Sequence, residues 1–135
     1  MYPKNVLLIE NSMLDAILIK DCLQQNGDFC NINLFEDGFE AILHIGSILQ
    51  NKKNEIPDLI IANEDQIIIN GVNLLSKISD LTNIYIPVII LTSSGSELHP
   101  HFNKHSYCYL NKPLEIKEFL RVIKEVKYYW LSLVN

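Results

Sequence analysis

A chain of 135 residues, 48% of them hydrophobic, can bury one substantial core and fits one domain of ordinary size. The net charge of −5 comes from interspersed acids and bases with no basic stripe, so nucleic acid is not an expected partner. No apolar run approaches the roughly 20 residues that cross a bilayer, and MYPKNVLLIENS has too short an apolar stretch for a secretory leader, so a cytoplasmic protein without membrane contact is expected.

In chain order, Asn5 to Ile9 (NVLLI) is a continuous apolar run, expected of a strand buried on both faces. Ser12 is placed to cap a helix in which Leu14, Ile17, Leu18 and Cys22 follow helical spacing, ended by Asn26-Gly27. Ile32 and Leu34 mark a second short strand. Asp37-Gly38 turns the chain into a helix from about Phe39 to Leu49, and residues 50 to 55 form a polar loop.

Residues 59 to 62 (LIIA) make the third strand, which stops at Asn63. After Asn70-Gly71, residues 72 to 79 suit a short helix. Pro87 introduces a strand over Val88 to Leu91. Residues 95 to 105, with Pro100 in their midst, are poor helix material. Ser106 to Leu110 reads as the fifth strand. Lys112-Pro113 leads into a last helix with Ile116, Phe119, Leu120, Ile123, Trp130 and Val134 broadly on one face, Trp130 closing the core.

Strand and helix therefore alternate five times. That pattern predicts an α/β fold: a doubly wound five-stranded parallel sheet with helices on both faces. Such sheets place their sites at the carboxyl ends of the strands, which directs attention to Glu10-Asn11, Asn63 to Asp65, Thr92-Ser93 and Lys112. The three cysteines, Cys22, Cys30 and Cys108, form no CxxC pair and are expected to be reduced, mostly buried thiols. His99, His101 and His105 fit no standard metal spacing.

LLIENS, PDLIIANEDQIIING, VIILTSS and YLNKP stand in the order and near the spacing of a known set. With these four anchors the chain resembles the receiver domain of bacterial two-component response regulators, across nearly all of its length. The resemblance implies the flavodoxin-like receiver fold, a single domain over residues 1–135, and no segment left for an output domain. It also implies phosphorelay chemistry, in which a histidine kinase passes a phosphoryl group to an aspartate after the third strand. Acids after the first strand help to hold Mg²⁺. A hydroxyl and a lysine after the fourth and fifth strands contact the phosphoryl oxygens.

Carried over residue by residue, the phosphoacceptor position is Asn63 and the acidic-pocket positions are Glu10 and Asn11. The phosphoryl-contact positions are Thr92 and Lys112. Tyr109 is the switch aromatic, a role weighed against that of an ordinary half-buried tyrosine. Two of these positions depart from the family. The nitrogen of Asn63 is delocalised into its carbonyl and cannot form an acyl phosphate. Asn11 replaces a ligating carboxylate, so Glu10 is expected to stand alone and Lys112, bonded to Asn63 or Glu10, to have fewer partners. No cofactor is expected; residual metal contact would fall on Glu10 and the Asp65 backbone. Drift and selection for a phosphate-independent state both account for the two asparagines.

Ile67, Ile68 and Ile69 occupy an expected loop. Either some of them tuck inward or they form an exposed patch for a partner. The expected function is signal transduction by a degenerate receiver, a pseudo-receiver not phosphorylated at the usual position. It would act through a protein partner, a histidine kinase or another regulator, and a homodimer is compatible with this. One alternative is an active phosphoacceptor using Asp65 or Glu64; another is a phosphate-independent small-molecule-binding module. No Ser-His-acid or Cys-His set points to an enzyme.

Overall fold

Three strands owe their burial to what covers them. In the computed structural model, which describes residues 4–25, 30–51, 55–69, 72–82, 85–92 and 107–128, β1 (Lys4–Ile9) is buried from Val6 onward, and β3 (Leu59–Asn63) and β6 (Val88–Thr92) are buried throughout. With β2 (Cys30–Phe35) and β7 (Tyr107–Asn111) they form one parallel sheet in the order β2-β1-β3-β6-β7. The expected doubly wound α/β fold is the observed one, and the order reverses direction between β1 and β3.

Alternate strand residues feed two cores. Val6, Leu8, Leu59, Ile61, Ile89 and Leu91 pack against α1 (Met13–Leu23) and α4 (Ile116–Val126). Leu7, Ile9, Ile60, Ala62, Val88 and Ile90 pack against α2 (Gly38–Asn51) and α3 (Leu74–Leu81). Each fully buried leucine or isoleucine contributes about 1.5–3 kcal/mol. The helix starts are set locally. Ser12 Oγ accepts from the Asp15 backbone N–H, Asp37 Oδ1 from that of Phe39, and Asn73 Oδ1 from those of Leu75 and Ser76.

The sequence reading needs correction in several places. Helix α1 is apolar nearly all round, so spacing alone picked only part of its buried face: Cys22 is buried and Leu18 packs against the core as expected. Ala16, Ile19, Cys22 and Leu23 are buried, while Leu14 and Ile17 are exposed. Ile116 is also exposed, whereas Phe119 and Ile123 are buried as expected. The isoleucine loop is not a plain loop: Ile68–Ile69 (β4) pairs antiparallel with Val72–Asn73 (β5), so α3 begins two residues later than expected. Ile67 is buried in the α2/α3 core, and Ile68 is 63% exposed. Cys22 is buried, but Cys30 and Cys108 are only half-buried. The readings at Asn26-Gly27, the three histidines, Trp130 and Val134 fall outside the described residues.

Candidate functional site

Strand register gathers the site. Ile9 lies beside Ala62, Asn63 beside Leu91, and Thr92 beside Asn111. Glu10, Asn63, Thr92 and Lys112 therefore meet at the carboxyl edge of the sheet, though they come from four different strand ends. The Lys112 backbone N–H donates to Thr92 O at 2.7 Å, which ties the ends of β6 and β7 together.

Glu10 lies at the centre and is 1% exposed. Its Oε1 accepts from Lys112 Nζ at 2.7 Å. Its Oε2 accepts from Asn63 Nδ2 at 2.8 Å and from the Ser12 backbone N–H at 3.0 Å. Three donors thus satisfy one buried carboxylate, as burial of a charge requires. Asn63 donates a longer second bond to Asn11 Oδ1 at 3.4 Å, and its own Oδ1 accepts from the Asp65 backbone N–H at 3.2 Å. That bond makes Asn63 the cap of the short 3-10 turn Glu64–Gln66.

Lys112 bonds to Glu10, one of its two expected partners. It does not bond to Asn63. Its second partner is Asp15 Oδ2 at 2.8 Å, in the first turn of α1. Desolvation pulls the Lys112 pKa down, but the hydrogen bonds and charges of Asp15 and Glu10 outweigh it and hold the ammonium above its ordinary value. The expectation that Glu10 alone remains as a carboxylate is overturned, because Asp15 is a second one on the lysine. Thr92 Oγ1 donates to Glu64 Oε1 at 2.7 Å, so Glu64 also faces this edge. Asp65 is exposed. Tyr109 is half-buried on edge strand β7, against the α2/α3 core. Among the described residues, no three His, Cys, Asp or Glu side chains are grouped to hold a metal ion, and no helix is long and apolar enough to cross a membrane.

No protein-family model matches the chain. It is 25% identical to the response regulator Rcp1 of Synechocystis sp., covering 98% of this chain and 92% of that protein. It is 28% identical to a probable methanogenesis regulatory protein, FilR2, of Methanothrix harundinacea, covering 96% and 85%. Its fold matches the phosphorylated cyanobacterial phytochrome response regulator RcpA with a TM-score of 0.84, at 24% identity over 99% of this chain and 98% of that one. Over nearly its whole length the chain is similar in sequence to response regulators, and it has the fold of their receiver domains. The Mn²⁺-bound form of Rcp1 is a further structural neighbour, with a TM-score of 0.74 at 23% identity over 98% of each chain, so a receiver of this fold binds a divalent metal.

Asp15 and Glu64 are the site residues that reading along the sequence missed or misplaced. Attention to the residues just after each strand passes over Asp15, which lies a helical turn further on. Its signal was an acidic residue three positions after a capping serine, on the turn that follows β1. Glu64 was in view, but not its direction. That direction depends on how the 3-10 turn leaves β3 beside the end of β6.

Proposed function

We propose that this receiver, a single domain over residues 1–135, works in two-component signalling without accepting a phosphoryl group at residue 63. One contact carries the reading: Asn63 Nδ2 donates to the buried Glu10 carboxylate at 2.8 Å. An aspartate there would set two carboxylates against each other unless a cation lay between them. The amide removes that need and removes the nucleophile with it. The alternative acceptors have less support, since Glu64 already binds Thr92 and Asp65 points into solvent-exposed surroundings.

The residues also fit a divalent cation poorly. Both Glu10 oxygens are taken by Lys112, Asn63 and Ser12, and a hard cation requiring about six oxygen ligands would have to displace them. The Lys112 ammonium, between Glu10 and Asp15, supplies the positive charge instead. The protein is then a cytoplasmic binding module rather than an enzyme, and its partner is a histidine kinase or another regulator. Exposed apolar residues support a protein contact. Met13, Leu14 and Ile17 on α1, and Leu114 and Ile116 after β7, flank the Asp15–Lys112 pair.

The test is intact mass after incubation with acetyl phosphate and Mg²⁺. The natural protein is expected to gain nothing. Asn11→Asp/Asn63→Asp is expected to gain one phosphoryl group, as a carboxylate oxygen attacks phosphorus and acetate leaves. A labelled natural protein would overturn the reading.

A further inference from the structure

The contact between Thr92 and Glu64 carries a consequence that rests on the phosphate-independent reading. Thr92 is 1% exposed, and its hydroxyl donates to Glu64 Oε1 at 2.7 Å. Glu64 is the residue after Asn63, so this carboxylate is tethered beside the phosphoacceptor position. Both ends of the contact are held. Ile67 N–H donates to Glu64 O at 3.1 Å, Asp65 N–H to Asn63 Oδ1, and Lys112 N–H to Thr92 O. A hydroxyl bonded to a carboxylate is held about twice as strongly as one bonded to a neutral acceptor.

We propose that Glu64 is a built-in anionic ligand for Thr92. Its carboxylate takes the hydroxyl hydrogen bond that a phosphoryl group on residue 63 would otherwise receive, and it orients Thr92 and the end of β6 permanently. Lys112 is engaged in the same way by Glu10 and Asp15. Both donors that by resemblance would meet a transient phosphoryl group are thus bound to resident carboxylates. The conformation at the ends of β6 and β7 is then set by the chain itself, with no kinase required to establish it.

The experiment uses the Asn11→Asp/Asn63→Asp protein, whose restored aspartate is labelled by acetyl phosphate with Mg²⁺. There Glu64 competes with the phosphoryl group for Thr92. Adding Glu64→Ala is expected to speed labelling about tenfold, the low end for one charge-assisted hydrogen bond. Adding Thr92→Ala as well is expected to erase that gain. A gain that came only from removing a negative charge would appear whether or not Thr92 is present. A gain that survives Thr92→Ala therefore overturns the proposal, and so does the absence of a gain.

A second readout does not depend on labelling. In the otherwise natural protein, Glu64→Ala should shift the Thr92 methyl resonance and the neighbouring β6 and β7 amides, and unmoved resonances would also overturn the proposal. Labelling of the natural protein is scored separately: it would sink the phosphate-independent reading and leave these two outcomes to decide the role of Glu64.

Discussion

Lys112 Nζ lies 2.7 Å from Glu10 Oε1, and the Glu10 side chain is wholly withdrawn from solvent. The pair spans 102 positions of sequence and joins the ends of β1 and β7. Removing one partner of a buried pair strands the other's charge. Lys112→Met is therefore expected to destabilise the fold by about 3 kcal/mol, measured by urea denaturation. Asp15 is partly exposed, with 26% of its side chain accessible, so Asp15→Asn should cost less than about 1 kcal/mol. Equal losses from the two substitutions would refute this ordering.

The same lysine gives a pH dependence. Its folded-state pKa is held above the ordinary 10.5 because the Asp15 and Glu10 interactions outweigh desolvation. A raised folded value means the contribution is complete below the unfolded pKa, near 10.4, and is lost as pH rises through the folded value. The stability gap between the natural protein and Lys112→Met should be flat from neutral pH to about pH 10 and close above it. A gap that widened with rising pH would contradict the assignment.

Divalent metal offers an independent check. Millimolar Mg²⁺ or Mn²⁺ should leave the melting temperature of the natural protein unchanged. Asn11→Asp/Asn63→Asp should gain a metal-dependent increase, because a metal that binds only the folded state stabilises it by mass action. An increase of equal size in the natural protein would show that Glu10 ligates metal despite its three donors.

The isoleucine triplet separates core from surface within two adjacent residues. Ile67 is buried among the α2/α3 core residues, so Ile67→Ala should cost about 2–4 kcal/mol. Ile68 is mostly exposed, and Ile68→Ala should change stability by less than about 0.5 kcal/mol. Thermal denaturation of the two variants decides. A large loss at Ile68 would mean that its side chain is covered.

The thiols of Cys22 and Cys108 should be slow to react. Burial pushes both above their ordinary value, and the nearby Lys127 and Lys124 charges only partly oppose this at Cys22. The thiolate is the reactive form, so alkylation of these two cysteines at neutral pH should proceed more slowly in the folded protein than in urea. Equal rates at both sites would contradict the burial argument.

The alternation of apolar runs with helical stretches was enough to identify a parallel sheet with helices on both faces. NVLLI, LIIA and VIIL are too uniformly apolar to have one wet face, and Ser12 and Asp37 mark helix starts by their side-chain chemistry. The position of Asn63 at a strand end and its lack of a nucleophile were also readable, because both follow from local order and residue type. The full buried face of α1 was not readable, since a helix apolar nearly all round carries little periodic signal and its neighbours choose the face. Nor were the partners of the charged groups. Asp15 meets Lys112 across 97 positions and Glu64 meets Thr92 across 28, and each contact exists only because strand register brings the ends of β1, β3, β6 and β7 to one edge. Residue type states which bonds a side chain can make. The packed sheet decides which partner is within reach.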